Sequence, residues 1–482
     1  MRFFNFIIIL LFFSHLSWTQ NFIDTTYTIT TDNDIYYGSA VNFAGQTIDL
    51  HMDISYPTND IIPDCGRPLI LIIHGGAWMI GSKDDGWIPR ARRDFAKRGY
   101  VAVAINYRLG LFQTHVRRNC NVPDWNCLNI ADSTEWVRGL CRGIQDANAA
   151  IRYMIINKEN YNIDASNVYV IGESAGAFIA LGVGYMDDES EKPWECGALS
   201  PVNPPHQSYY EPCIRMRQYD IAIDEMDLSR PDLGPVSGTL NPTDEPYFIR
   251  GVGAFYGGIF QDLFTTNSSV YTPILYMFHQ PNDLVVPIRH NRLLRGLNTC
   301  AVQLFGCSGL QNRPMIYGST GISDLIDTLT IPEENKPQVL FQRTNNNTNC
   351  LQQILNPATG GHQLDNFNTR HTALATFFAQ NIGEDDCIAL TVPNSENFGN
   401  FNIFPNPNNG NFTIQLNDRD FSKIQLQIFD LSGKQYLNQN MDIHENQFTV
   451  QSNLQAGMYI IQLRLKEQNT IFYDRVIVLE NE

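Results

Sequence analysis

Basic residues are scarce in this chain, and so are metal-type cysteine pairs and long apolar runs. Lys and Arg number 33 against 50 Asp and Glu, for a formal net charge of -17. An acidic surface repels phosphate, so nucleic acid and anionic lipid are excluded as expected partners. Solubility is the plainer meaning of the charge. No CxxC pair or clustered histidine accompanies the 10 cysteines. Neither a metal site nor a cofactor is therefore expected. The unbroken apolar run Phe6 to Phe13 is far short of the ~20 residues that span a bilayer, and no other stretch is long enough. No transmembrane segment is expected in the mature chain.

What is present begins with a targeting signal. Arg2, the apolar run, and the small residues Ser17 and Thr19 before Gln20 read as a signal peptide over residues 1–19. The first cysteine is Cys65, so a lipid-anchored N-terminus is not expected. An even cysteine count in an exported chain fits disulfides. Cys120 with Cys127, and Cys300 with Cys307, are close enough to close small loops, although connectivity is not legible. At 482 residues, 43% hydrophobic and 17% charged, the chain is globular and long enough for more than one domain.

Ile48 to Tyr56 alternates apolar and polar residues, which predicts a half-buried strand near a sheet edge. Pro68 to Ile73, Val101 to Asn106 and Val168 to Ile171 are continuous apolar runs, as parallel strands buried on both faces require. Helical spacing falls between them at Ile88 to Arg98 and Ile144 to Ile156, and Ala175 to Gly184 reads as a small-residue helix. Further strands are predicted at Gly251 to Tyr256, Pro273 to Phe278 and Leu351 to Leu355, and a helix near Thr372 to Asn381. The fold class is α/β: a mostly parallel sheet with helices on both faces. Residues 185–247, rich in Pro, Tyr and acidic side chains, read as an insertion over the C-terminal edge of the sheet, and 299–337 as a second irregular one. A polar linker is expected at 389–400. Short Asn-rich strands over 401–482 predict a small antiparallel β-sandwich.

Gly172-Glu173-Ser174-Ala175-Gly176 follows a buried strand and opens a helix. That setting presents a serine outward on a tight bend, which makes Ser174 the candidate nucleophile rather than a chance Gly-Ser turn. His74-Gly75-Gly76-Ala77-Trp78 leaves the strand ending at Ile73. Its glycines bring backbone N–H groups close to a substrate carbonyl. Gly75 and Gly76, with Ala175, are the expected oxyanion hole, and His74 braces the loop. An acid and a histidine must follow. Asp283 lies on the loop after Phe278; a capping role is its plainer alternative, and Asp262 its rival. Downstream histidines are His290, His362, His371 and His444. His290 and His371 fall on predicted helices, and His444 in the C-terminal region. His362 follows Gly360-Gly361 in a loop and is the expected base, with His371 as alternative. Trp78, Trp87, Tyr209 and Tyr210 either line a pocket or pack.

The stretch Ile48 to Ile382 resembles the carboxylesterase branch of the α/β hydrolases. The matching pieces are HGGAW, Asn106 to Gly110 (NYRLG), Asp146 to Arg152 running to Asp164, GESAG, and Asn282-Asp283 before Val286-Pro287. The layout is also similar to bacterial acetylxylan and feruloyl esterases. The resemblance implies an α/β-hydrolase domain over 20–388 that cleaves carboxylic esters through an acyl-enzyme, on short-chain or carbohydrate-linked substrates. A peptidase or amidase, or a binding protein on an esterase scaffold, would share the fold. Phe404 to Pro407, Gly410 to Thr413, Ile428 to Gly433 and Leu454 to Ile460 resemble type IX secretion sorting domains of Bacteroidetes. That implies the type IX machinery as partner and a secreted or surface-attached protein. A carbohydrate-binding module is the alternative, but the region has no Trp for a sugar platform.

Overall fold

The computed structural model describes residues 22–58, 63, 65–112, 133–186, 188–202, 225–264, 272–296, 299–300, 313–332, 336–344, 350, 361–382, 401–406, 408–416, 423–430, 435–442, 447–452, 454–465 and 470–479. The expected signal peptide, the linker 389–400, Leu351 to Leu355, His444, Tyr209, Tyr210, Cys120, Cys127, Cys213, Cys307 and Cys387 lie outside these residues.

In chain order the first part contains β1 (Ile29–Val41), β2 (Thr47–Pro57), β3 (Arg67–Ile73), α1 (Ile88–Lys97), β4 (Val101–Ile105), α2 (Ser133–Ile156), β5 (Ile163–Glu173), α3 (Ala175–Tyr185), β6 (Ile249–Phe255), β7 (Gly258–Ile259), β8 (Ile274–His279), β9 (His290–Arg292), β10 (Met315–Gly318), α4 (Ser319–Asp327), β11 (Val339–Arg343) and α5 (Phe367–Ala379). Eight strands form one sheet in the order β1-β2-β4-β3-β5-β6-β8-β11. β1 and β2 are antiparallel, as are β2 and β4; the rest run parallel.

The continuous apolar strands are explained by two covered faces. Along β3, Leu69, Leu71 and Ile73 join one core cluster, while Ile70 and Ile72 join the other. The first face is covered by Ile144, Ile151 and Met154 of α2 and Phe178 and Ile179 of α3. The second is covered by Phe95 of α1 and Leu374 and Phe378 of α5. Each such side chain contributes about 1.5–3 kcal/mol on burial. A strand alternating apolar with polar residues could not satisfy both faces.

The strand beside β8 is Val339–Arg343, a stretch for which the sequence predicts no strand. β1 forms one edge of the sheet, so the alternating strand β2 lies next to that edge, as expected. The 299–337 stretch is more regular than expected, since it holds β10 and α4. β10 pairs with β7 and β9 in a small three-stranded sheet, and His290 lies on β9 rather than on a helix.

The described parts of the 185–247 insertion are strapped along α2. Arg138 donates to the carbonyls of Glu195, Gly197 and Pro231, Gln145 to Leu233 and Pro235, and Arg152 to Ser237 and Leu240. These donors recur every seven residues, which aligns them on one side of the helix. A Cys141–Cys196 disulfide ties the same helix to the strap. Cys300 pairs with Cys350, which corrects the short Cys300–Cys307 loop.

The last part contains β12 (Phe401–Phe404), β13 (Asn411–Leu416), β14 (Lys423–Asp430), β15 (Gln435–Asp442), β16 (Gln447–Gln451), β17 (Gly457–Leu465) and β18 (Thr470–Val478). They form antiparallel sheets β12-β13-β16 and β15-β14-β17-β18. Phe412, Ile414 and Leu416 of one sheet and Ile424, Leu426, Ile428, Ile461 and Leu463 of the other share one core. This is a sandwich, and the period-two alternation of β13 and β14 encodes it.

Candidate active site

β3 and β5 end in register, with Ile73 beside Gly172. The segments that leave them, one starting at His74 and the other at Ser174, are therefore neighbours at the C-terminal edge of the sheet. β6 and β8 end at the same edge, where Phe255 pairs with Phe278.

Ser174 takes φ 49° and ψ -122° between β5 and α3, and its amide donates to the Phe255 carbonyl at 2.9 Å. Left-handed backbone in a non-glycine residue costs of order 1–3 kcal/mol and persists where its surroundings hold it. The flanking glycines are required by space. A Cβ on Gly172 would stand 2.2 Å from the Gly176 carbonyl oxygen, and one on Gly176 2.2 Å from that of Ile73.

His362 Nε2 lies 2.8 Å from Ser174 Oγ, and His362 Nδ1 lies 2.7 Å from Asp283 Oδ2. The carboxylate accepts the Nδ1 proton, which leaves Nε2 bare to accept from the serine hydroxyl. Gly361, at φ 61°, lets this loop press on the Asp283 loop; a Cβ there would fall 2.6 Å from the Asn282 carbonyl. The other oxygen of Asp283 accepts the amides of Val285 at 2.8 Å and Val286 at 2.9 Å. Burial pushes the Asp283 carboxyl up. The attraction of His362 and hydrogen bonds from His279 and His362 outweigh it and hold the group below the usual carboxylate range.

His279, the last residue of β8, is fully buried behind that acid. Its Nε2 lies 3.0 Å from the Val286 carbonyl and 3.3 Å from Asp283 Oδ2. A carbonyl only accepts, so Nε2 carries the proton, and Nδ1 accepts from Ser319 Oγ at 2.9 Å. The available signal was an imidazole four residues before the acid, one helical-turn-like step along the loop.

The other candidates are placed elsewhere. Asp262 caps the Phe264 amide. His290 stacks on Tyr317 at 4.0 Å. His74 is buried, donates from Nδ1 to the Gly75 carbonyl at 2.7 Å and stacks on Tyr107. Tyr107 in turn donates to the His74 carbonyl at 3.2 Å, and Arg108 pairs with Asp146 at 2.8 Å. The NYRLG segment thus braces the loop after β3. Trp78 is packed against Trp136 and Phe178. His371 is buried between Phe255 and Phe367, with Nδ1 donating to the Phe367 carbonyl at 2.9 Å.

Burial pulls His371 down to about 3 and His74 down to about 4. Both are neutral when folded and take up protons once unfolded. Their contribution is complete above the unfolded value near 6.5 and fades as pH falls toward the folded values, by about 1.4 kcal/mol per pH unit for each. A thermal melt series from pH 7 to pH 4 should show a steep fall in Tm, and His371→Phe should flatten it. An unchanged slope in the variant would contradict this assignment.

The Gly75 amide faces the Glu173 carboxylate and favours its charged form. Among the described residues, the amides of Gly76, Ala77 and Ala175 donate to no protein acceptor. Gly76 (φ 108°) and Ala77 (φ 54°) are consecutive left-handed residues, and a Cβ on Gly75 would lie 3.1 Å from Ser174 Cβ. The loop therefore runs directly against the serine.

Two family models match the chain. Residues 52–130 and 118–210 match BD-FAE, an α/β-hydrolase esterase family. Residues 402–478 match the secretion system C-terminal sorting domain. Among curated proteins, a probable isoprenylcysteine alpha-carbonyl methylesterase of Oryza sativa subsp. japonica is 32% identical over 114 residues, 24% of this chain and 20% of that protein. A neuroligin-like protein of Caenorhabditis elegans is 28% identical over 156 residues, 32% of this chain and 17% of that one. The chain spans about a fifth of the length of these relatives. Similar solved structures include Thermogutta terrifontis esterase 2 phosphorylated by paraoxon, at 17% identity and TM-score 0.35, covering 74% of this chain and 94% of that one. A bifunctional GH43-CE protein of Bacteroides eggerthii matches at 15% identity and TM-score 0.39, covering 73% and 38%.

Residues 52–210 thus carry the match to an esterase-type α/β-hydrolase family, and residues 402–478 the match to a secretion sorting tail. That tail assigns the chain to type IX secretion and export to the cell surface or beyond. Among the described residues, no helix is long and apolar enough to cross a membrane.

Proposed function

We propose that the protein hydrolyses carboxylic esters through an acyl-enzyme on Ser174, with His362 as general base and acid and Asp283 as its orienting carboxylate. The observation that carries this reading is the hydrogen-bonded line from Ser174 Oγ through both nitrogens of His362 to Asp283. Ser174 Oγ attacks the ester carbonyl as His362 Nε2 takes its proton. The tetrahedral oxyanion is met by the amides of Gly76, Ala77 and Ala175, in place of the Gly75 amide. His362 then gives the proton to the departing alkoxide. Water loses a proton to the same nitrogen, attacks the acyl carbon, and the acid leaves as Ser174 regains its proton.

The substrate class is a short-chain or carbohydrate-linked ester, met outside the cell, where the type IX machinery that reads the sorting domain delivers the protein. The test is a p-nitrophenyl ester series of rising chain length, run beside acetylated xylan and methyl ferulate. Highest kcat/KM is expected on short acyl groups. Preference for long chains would overturn the substrate assignment, and turnover of anilides with none of esters would overturn the reaction.

A further inference from the structure

Beside the Ser174–His362–Asp283 line lies a second polar group of residues that it does not use. Tyr256 follows β6 directly and takes φ 42°, in the left-handed region that an aromatic residue rarely adopts. Its amide donates to the Phe278 carbonyl at 2.6 Å, which fixes this bend against β8. The ring stands edge-on to His362, with centroids 4.9 Å apart. The hydroxyl donates to Glu173 Oε2 and accepts from Trp87 Nε1 at 3.3 Å. The same Glu173 carboxylate takes the Gly75 amide. One tyrosine therefore stands against the base through its ring and, through one carboxylate, against the loop that carries Gly76 and Ala77.

We propose that Tyr256 is a positioning residue that couples the base to the oxyanion loop. Its ring limits the swing of the His362 imidazole, and its hydroxyl locks the Glu173 carboxylate that anchors the loop at Gly75. The inference rests on the reading of Ser174 and His362 as nucleophile and base. Strained backbone is retained where neighbouring contacts over-determine it, and Tyr256 has four such contacts: the backbone bond to Phe278, and His362, Glu173 and Trp87, which each hold one part of the side chain. Burial and the Glu173 charge push the phenol well up, so it stays a donor. Burial also pushes Glu173 up, against the Tyr256 hydroxyl, the Gly75 amide, His362 and Trp87, which favour its charged form. The titratable groups that face His362 are Asp283 from the loop after β8, Ser174 from the β5–α3 bend, Tyr256 from the end of β6 and Glu173 from the end of β5; Tyr107 adds its field at Glu173.

The experiment compares wild type, Tyr256→Phe, Glu173→Gln and Ser174→Ala in kcat, KM and the pH profile of kcat/KM on p-nitrophenyl acetate. Tyr256→Phe keeps the ring and loses the anchor, so kcat should fall ~10- to 100-fold with KM little changed, as expected of a misplaced catalytic loop. Glu173→Gln keeps a hydrogen-bond acceptor and removes the charge that favours imidazolium. Its acid limb should therefore move to lower pH by about one unit. A role confined to packing would lower activity at every pH and leave the limb in place. If Tyr256→Phe does not fold, Glu173→Gln decides alone. Wild-type kcat in Tyr256→Phe, or an unmoved acid limb in Glu173→Gln, overturns the proposal while Ser174→Ala remains inactive. Activity surviving in Ser174→Ala would instead overturn the underlying assignment of the nucleophile.

Discussion

Ser174→Ala should lower kcat on an activated ester by about 10⁶-fold, with the variant still folded. Such groups act as a unit, so loss of the nucleophile removes nearly all of the covalent route. The residue stands at a bend fixed by Gly172, Gly176 and the Phe255 carbonyl, none of which depends on the hydroxyl. Alanine at φ 49° bears the same backbone strain that serine already bears. A thermal melt matching wild type, beside the lost turnover, checks both halves. Residual catalysis of about 10³–10⁴ over water is consistent with the amides of Gly76, Ala77 and Ala175 continuing to act. Turnover within tenfold of wild type would remove Ser174 from the chemistry.

Asp283→Asn should cost about 10⁴-fold in kcat near neutral pH. The direction of the asparagine amide is dictated by its neighbours. Val285 and Val286 both donate to one carboxylate oxygen, so the carbonyl of asparagine must stay there. Its NH2 then faces His362 Nδ1, where the aspartate had accepted a proton. Two donors cannot share that contact, so the imidazole must take the other tautomer and place its proton on Nε2, toward Ser174. The base is then blocked rather than lost. Steady-state kinetics across pH would check this, and an activity loss below tenfold would show that Asp283 does not set the tautomer.

The parts of the fold legible in the sequence are those where one physical demand dominates. β3 and β4 are apolar throughout because both faces are covered, and the G-x-S-x-G bend declares itself because no side chain fits at Gly172 or Gly176. Ser174, Asp283 and His362 each stand out by their place after a strand or in a loop, and in the folded chain Ser174 and Asp283 each lie within hydrogen-bonding distance of His362. β11 was missed because Val339 to Arg343 is a half-buried edge strand with only three apolar residues, and its identity comes from parallel pairing with β8. β1 was missed for a related reason, since most of its residues are partly exposed and within the sheet it pairs with β2 alone. The engagement of the Gly75 amide depends on where the Glu173 side chain turns, and the Cys300–Cys350 pairing on tertiary proximity; neither has a local signature. The heptad spacing of Arg138, Gln145 and Arg152 was present in the sequence, but its acceptors are carbonyls of a distant strap.

The most direct measurement is the site of covalent capture. A fluorophosphonate reacts with a serine only when its hydroxyl is exposed and deprotonated by a neighbouring base. Peptide mapping by mass spectrometry should place the adduct on Ser174 in the wild-type protein, and labelling should slow at least ~100-fold in His362→Ala. An adduct on another residue, or equal labelling without His362, would contradict the account.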